Sequence, residues 1–156
     1  MASYSFVTVW HIDAPLDAVW DAIYHVERWT GWWKGLAQVV KLEPGDQRGI
    51  GSVHQFTWKG RLPYTLTVEM RTIRVEPRAA LESLASGALE GRGVWQLVPH
   101  DDGTMVRYEW NVRTTKLWMN VLAPLARPLF QWNHNVVMRW GEEGLKRLLE
   151  NTWPGR

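Results

Sequence analysis

The sequence predicts an α+β domain in which a seven-stranded antiparallel sheet wraps around one long C-terminal helix. The chain opens with an apolar run, a turn and an amphipathic segment. Its middle consists of short segments with strand character, and it ends in a long segment of helical periodicity. Short turns connect antiparallel neighbours, since parallel pairs need a long crossover. The length of 156 residues favours a single domain over residues 1–156.

The opening segment reads as strand, turn and helix. Residues 6–12 form the predicted strand, and a helix is expected over residues 15–26. Pro15 suits the first helical position, because its missing N–H has no intrahelical partner there. Asp17 places negative charge in the first turn, where the helix dipole favours it. A second short helix is expected over residues 27–34.

Six further strands follow, expected at residues 36–42, 52–58, 64–75, 79–86, 89–98 and 104–114. Alternation along the last strand predicts that Tyr108 and Trp110 face inward. His54 shares a face with Phe56 and Trp58, so it should point to the apolar side. The first strand is ambiguous, because both of its faces carry apolar residues.

A helix is expected over residues 127–150. On a helical wheel, an apolar stripe lies within roughly 60° of His134, which is its only polar member. The stripe comprises Phe130, Val137, Met138, Gly141, Leu145, Leu148 and Leu149. Gly141 should leave a notch beside His134, and the stripe should pack across the curved sheet.

The opposite side of this helix is also apolar. Its members are Leu125, Leu129, Trp132, Val136 and Trp140. Pro124 and Pro128 are expected to break or redirect the start of the helix, so the preceding segment could cover part of this set. The alternative is an exposed surface for a homodimer or a membrane contact.

Composition excludes several function classes. Twelve Trp residues indicate an aromatic interior or an aromatic contact surface, whereas the absence of Cys rules out disulfides and thiolate chemistry. A dispersed net charge of +2 argues against nucleic-acid binding. The sequence shows no signal-peptide pattern and no apolar run of ~18 residues, which favours the cytoplasm.

Common catalytic and cofactor motifs are missing. No His pair has metal-ligand spacing, and no nucleophile elbow of a serine hydrolase occurs. The pairs Gly49/Gly51 and Gly91/Gly93 lack the third glycine and the following helix of a dinucleotide site. We therefore expect neither a metal nor a cofactor.

Several segments together carry a family resemblance. They are Ile12-Asp-Ala-Pro15 with Val19-Trp20, the tryptophans 29, 32 and 33, Gly49-Ile-Gly51-Ser52, Gly91-Arg-Gly-Val-Trp95-Gln-Leu97 and Asp102-Gly-Thr104. Over residues 3–150 the chain resembles the START-like (SRPBCC) superfamily, and within it the polyketide cyclase/dehydrase and lipid-transport group. The resemblance implies the helix-grip fold, with a hydrophobic cavity between sheet and helix. It transfers no activity, because members bind, carry or convert different molecules.

Two histidines are the candidate catalytic residues. His134 and His54 could act as general acid or base, or donate a hydrogen bond at the cavity wall. If both point inward, they could face each other and orient one polar group of a ligand. The candidate ligand-binding residues are Trp33, His54, Phe56, Trp58, Tyr64, Tyr108, Trp110, Phe130, His134 and Met138.

Three functions remain open at this point. The leading hypothesis is binding of a hydrophobic or aromatic small molecule, such as a lipid, polyketide or quinone, in an internal cavity. The second is a cyclase or dehydratase that uses His134 or His54 to move a proton. The third is a protein- or membrane-interaction module that uses Leu129, Trp132, Val136 and Trp140.

Overall fold

The computed structural model describes residues 3–150, except for the side chains of residues 119 and 123. The elements are β1 (Ser3–Ile12), α1 (Leu16–Tyr24), a 3-10 helix (Val26–Gly31), β2 (Leu36–Glu43), β3 (Val53–Trp58), β4 (Leu66–Glu76), β5 (Ala80–Gly87), β6 (Leu89–His100), β7 (Gly103–Thr114) and α2 (Leu117–Glu150). The single domain expected over residues 1–156 reaches beyond the described residues at both ends and stays a prediction.

The strands form one antiparallel sheet in the order β1-β7-β6-β5-β4-β3-β2. Side chains from one face of this sheet and from α2 surround a common interior space. The predicted α+β class and helix-grip fold are therefore confirmed. Register places Tyr4 of β1 and His54 of β3 in one row across the sheet, with Val112, Gly91, Ala85 and Met70 between them.

The first strand has a clear inner face. Trp10 and Ile12 are each 1% exposed, whereas Val7 is 59% and Val9 44% exposed. Trp10 and Ile12 therefore face the core, and Val7 and Val9 face outward. This assignment removes the ambiguity in the sequence pattern, which carried apolar residues on both sides of β1.

The helical segments differ from the prediction at their boundaries, since α1 spans Leu16–Tyr24 rather than residues 15–26. The 3-10 helix ends at Gly31 rather than at residue 34. Helix α2 begins at Leu117, ten residues before the expected start, and it contains both Pro124 and Pro128. The expectation that these prolines break the start of the helix was wrong, because α2 continues through both of them. Tertiary contacts hold its first half, since Trp118 packs edge-on against Tyr64 with ring centroids 5.3 Å apart.

The notch at Gly141 is filled by protein. A Cβ at this position would lie 2.5 Å from Trp33 Cε2 and 2.9 Å from Trp10 Cη2. Trp33 also donates its indole N–H to the Val137 carbonyl oxygen at 2.8 Å. Gly141 therefore lets α2 approach the tryptophan cluster, and the predicted space for a ligand beside His134 does not come from this glycine.

The second apolar side of α2 is divided. Val136 is 5% exposed, and Trp140 is half-buried with Lys34 Nζ 4.8 Å from its ring centroid. Leu125 is 82%, Leu129 53% and Trp132 48% exposed. The preceding segment thus does not cover the first half of this side. None of the helices within residues 3–150 combines the length and apolarity that a membrane span requires.

Candidate functional site

A cavity of about 500 Å³ lies between the inner face of the sheet and α2. Ligand pockets usually measure ~300–1,000 Å³, so the space suits a small organic molecule. Its wall is mostly aromatic and aliphatic. Tryptophans 29, 33, 58, 95 and 110 contribute to it. The high tryptophan content of the chain is used partly to build this wall and partly to fill the adjoining core.

All ten predicted ligand-binding residues lie on the cavity wall. They are Trp33, His54, Phe56, Trp58, Tyr64, Tyr108, Trp110, Phe130, His134 and Met138. Eight of them lie on strands or on α2, where strand residues two apart share a face and helix residues three or four apart share a side. Trp33 and Tyr64 lie in the segments before β2 and β4. Their roles in binding or catalysis stay predictions.

His54 lies in a polar group at the surface of the cavity. Its Nε2 is 3.0 Å from Glu27 Oε1, and Lys41 Nζ is 3.2 Å from the same oxygen. The hydrogen bond with His54, with a further contribution from Lys41, lowers the pKa of Glu27. Glu27 and Lys41 are half-exposed, whereas the His54 side chain is only 10% exposed. His54 is therefore held by a carboxylate at the place where the cavity meets solvent.

His134 lies in an apolar part of the wall. Its imidazole stacks on Phe6, with ring centroids 4.1 Å apart and an interplanar angle of 18°. Burial lowers the pKa of His134 to about 4, so the side chain is neutral at pH 7. Its Nε2 is buried and has no hydrogen-bond partner within the described chain. A neutral imidazole with an unused nitrogen can accept or donate one proton or hydrogen bond.

Tyr4 contributes a second polar atom of this kind. The residue is 6% exposed and lines the cavity, and its hydroxyl has no hydrogen-bond partner among residues 3–150. Burial raises the pKa of Tyr4, although the positive charge of Arg127 opposes the shift. Arg127 lies 4.6 Å from the centroid of the Tyr4 ring. The phenol therefore stays protonated and can donate a hydrogen bond.

Two further phenols keep the wall uncharged. Burial raises the pKa of Tyr64 to about 12 and also raises that of Tyr108. Both residues stay neutral at pH 7 and present aromatic surface to the cavity. Among the described residues, no group of three His, Asp or Glu side chains is placed to hold a metal ion.

The two candidate histidines line the same cavity but make no direct contact with each other in the described chain. His54 pairs with Glu27, whereas His134 stacks on Phe6, and no hydrogen bond or ring contact between them occurs among residues 3–150. The expectation that both could face each other and orient one polar group of a ligand stays a prediction.

Sequence reasoning missed several wall residues. Tyr4 and Phe6 share the inner face of β1. Tyr4 was missed because the predicted strand began at residue 6, and Phe6 because both faces of that strand carry apolar residues. Glu27 was missed because its partner His54 is distant in sequence and no local pattern signals the pairing.

A curved antiparallel sheet closed by one long helix around an apolar cavity defines a helix-grip protein. The family model described as "Polyketide cyclase / dehydrase and lipid transport" matches residues 3–151. The chain therefore belongs to the polyketide cyclase/dehydrase and lipid transport family. A comparison with curated proteins gives no significant match.

Solved structures share the fold. The Zhui aromatase/cyclase from Streptomyces sp. R1128 is 14% identical with a TM-score of 0.74, covering 96% of this chain and 95% of that one. TTHA0849 from Thermus thermophilus is 16% identical with a TM-score of 0.70, covering 91% and 97%. The di-domain ARO/CYC BexL from the BE-7585A biosynthetic pathway is 18% identical with a TM-score of 0.68. Coverage is 92% of this chain and 50% of BexL, so the chain spans about half the length of that protein. At these identities the likeness establishes the fold.

Proposed function

We propose that this protein binds a hydrophobic or aromatic small molecule, such as a lipid, polyketide or quinone, inside the cavity. The observation that carries the proposal is an interior volume of about 500 Å³ with a largely aromatic wall. Burying apolar ligand surface there is favourable by ~25 cal/mol per Å². We further propose that the protein is cytoplasmic and that it binds this molecule without a cofactor.

The cavity wall favours aromatic ligands. The Trp95 and Tyr108 rings are stacked with centroids 4.1 Å apart, and Tyr108 and Trp110 are stacked at 5.9 Å. These three flat side chains follow one another on the wall. A planar or extended apolar molecule can lie against such a surface with little side-chain rearrangement.

Native mass spectrometry of the purified protein, followed by denaturing extraction, tests this function. We expect a bound apolar molecule, or stoichiometric binding of an added one such as naphthoquinone. A protein that takes up no apolar probe under conditions that preserve the fold would contradict the proposal.

A second candidate function is cyclisation or dehydration of a polyketide-like substrate, and the neutral His134 on the cavity wall favours it. A neutral imidazole can take a proton from the carbon next to a ketone. The resulting imidazolium can return that proton to a hydroxyl on the neighbouring carbon, so that water leaves and a C=C bond forms. His54 is the other candidate base, and its bond to Glu27 would stabilise the protonated imidazole.

Incubation with a β-hydroxyketone probe tests the enzymatic function through the loss of water detected by mass spectrometry. We expect turnover by the wild type, and a large loss in His134→Ala or in His54→Ala. His100→Ala is the matched control, because His100 is exposed at the end of β6. Equal turnover by all four proteins would contradict a role for either cavity histidine.

A third candidate is contact with an anionic lipid surface through the first half of α2. Its exposed apolar side chains are Leu117, Trp118, Val121, Leu122, Leu125, Leu129 and Trp132. From residue 111 to residue 141 the sequence contains no Asp or Glu, but it contains Arg113, Lys116, Arg127 and Arg139. Arg113 pairs with Glu90 at 3.1 Å, which leaves Lys116, Arg127 and Arg139 as the cations of this segment that pair with no carboxylate among the described residues. Apolar residues accompanied by these cations suit a negatively charged membrane better than a second copy of the same basic surface.

Vesicle sedimentation tests this contact. We expect binding to vesicles that contain phosphatidylglycerol, weaker binding at high salt, and little binding to phosphatidylcholine alone. Leu125→Glu should reduce binding, whereas Leu84→Glu, on the exposed side of β5, should not. A protein that forms a stable dimer in solution and does not bind vesicles would contradict the membrane contact. It would instead favour a role of this surface as a dimer interface.

A further inference from the structure

Two buried polar atoms on the cavity wall have no partner in the described chain. They are the Tyr4 hydroxyl and His134 Nε2. Buried polar groups in native proteins are nearly always hydrogen-bonded, because leaving one unpaired is costly. The indole N–H of Trp10 is also unpaired, but Trp10 does not line the cavity. Tyr4 and His134 are therefore the pair that a ligand can satisfy.

The two side chains belong to one part of the wall. Tyr4 and Phe6 are stacked with ring centroids 6.0 Å apart and an interplanar angle of 11°. Phe6 and His134 are stacked at 4.1 Å and 18°. The Tyr4 and His134 ring centres thus lie no farther apart than these two distances together. Both side chains therefore belong to the same end of the cavity wall, within the length of one bicyclic aromatic ligand.

This part of the wall carries no charge. Tyr4 and His134 are neutral at pH 7, and Asn133 Oδ1 already accepts a hydrogen bond from the Arg61 backbone N–H at 2.7 Å. Arg127 lies over the Tyr4 ring, is exposed, and donates to the Ser3 carbonyl oxygen at 2.8 Å. Because Arg127 is exposed and its charge is screened by solvent, it offsets little of the cost of moving a carboxylate from water into this part of the wall.

We propose that the Tyr4 hydroxyl and His134 Nε2 each form a hydrogen bond with uncharged oxygen of one otherwise apolar ligand. A ketone or quinone carbonyl accepts a hydrogen bond from Tyr4, and from His134 when the His134 proton is on Nε2. A ligand hydroxyl can accept from Tyr4 or donate to His134 in the other tautomer. The inference rests on the proposed ligand-binding function and specifies which class of ligand is recognised.

Paired probes in a calorimetric titration test the inference. Naphthoquinone has two carbonyl oxygens, whereas naphthalene has the same ring skeleton and no oxygen. Tyr4→Phe should weaken naphthoquinone binding by about fivefold, which is the value of one net hydrogen bond of ~1 kcal/mol. The same substitution should leave naphthalene binding unchanged. His134→Ala should also lower the preference for naphthoquinone, with His100→Ala as its control.

The possible outcomes distinguish recognition of an uncharged oxygen from the more general binding of an apolar ligand. If Tyr4→Phe weakens both probes equally, or neither, while the wild type binds both, the inference is wrong and the binding function stands. If the wild type binds neither probe, the result counts against both. Naphthoate binding more tightly than naphthoquinone would contradict recognition of an uncharged oxygen. The melting temperature of Tyr4→Phe should not fall, because the hydroxyl has no protein partner to lose among residues 3–150.

Discussion

Trp33 donates its indole N–H to the Val137 carbonyl oxygen at 2.8 Å, which joins the segment after the 3-10 helix to the middle of α2. Both residues line the cavity, so this contact helps to fix its boundary. The close approach of α2 to the tryptophans depends on Gly141 and Gly144, which lie in the next turns of the helix. A Cβ on Gly144 would overlap the Trp32 carbonyl oxygen, which is part of the backbone and cannot rotate away.

We expect Gly144→Ala to lower the free energy of unfolding by about 2 kcal/mol, even though Ala favours a helix by ~1 kcal/mol. Gly31→Ala is the control, since a Cβ there meets no atom within 4 Å. Urea denaturation measures both variants. Equal stability of wild type and Gly144→Ala would show that the helix does not approach the tryptophans this closely.

The stability of the protein should depend on the protonation of His134. Its pKa is about 4 in the folded protein, below the ordinary value of 6.5. Between these values the unfolded chain binds a proton that the folded chain does not, so the contribution is fully present above pH 6.5 and is lost as the pH falls towards 4. The full loss is about 3 kcal/mol at 1.36 kcal/mol per pKa unit.

Comparison of variants separates the effect of His134 protonation on stability from the effect of protonating Asp and Glu side chains. From pH 7 down to about 4.5, His134→Gln should lose ~2 kcal/mol less stability than the wild type. His100→Gln, at an exposed position, should lose as much as the wild type. Parallel curves for all three proteins in urea denaturation would argue against a buried neutral His134.

The ionisation of Glu27 should report the contact with His54. The hydrogen bond from His54 is the largest cause of the lowered Glu27 pKa, ahead of that from Lys41. We expect His54→Ala to raise the Glu27 pKa more than Lys41→Ala does. Carbon-detected NMR of the Glu27 carboxyl measures both shifts. The reverse order would mean that Lys41 is the stronger partner of this carboxylate.

Filling the cavity should block binding without unfolding the protein. Val112 lines the cavity, and Val7 is 59% exposed on the outer side of β1. We expect Val112→Phe to weaken naphthoquinone binding at least tenfold, because the larger ring occupies ligand space. Val7→Phe should bind as the wild type does. Calorimetry measures affinity, and the melting temperature checks for the cost of overpacking. Equal affinity of both variants for naphthoquinone would mean that the ligand binds outside this cavity.

Periodicity and turn signals in the sequence were sufficient for the order of strands and helices and for part of the cavity wall, and the family resemblance supplied the helix-grip arrangement. Alternation placed His54, Tyr108 and Trp110 inward, and the stripe on α2 placed Phe130 and His134 beside them. These features depend on local geometry, which repeats every two residues in a strand and every 3.6 in a helix.

Features that depend on distant contacts could not be predicted. The first half of α2 is helical although it contains Pro124 and Pro128. In this half, Trp118 packs against Tyr64 and Arg127 bonds to the Ser3 carbonyl oxygen. The local sequence pattern indicates neither contact. The bond between Glu27 and His54 and the filling of the Gly141 notch by Trp33 likewise arise only once the chain has folded.

Two-dimensional NMR of the indole N–H groups during titration with naphthoquinone tests the central claim most directly. Trp58, Trp95 and Trp110 line the cavity, whereas Trp118 and Trp132 are exposed on α2. If the ligand binds inside, the signals of the cavity tryptophans shift and saturate, and that of Trp132 stays in place. Trp118 contacts the wall residue Tyr64, so its signal can also shift. Shifts confined to Trp118 and Trp132, or no saturable shift at all, would contradict an internal ligand site.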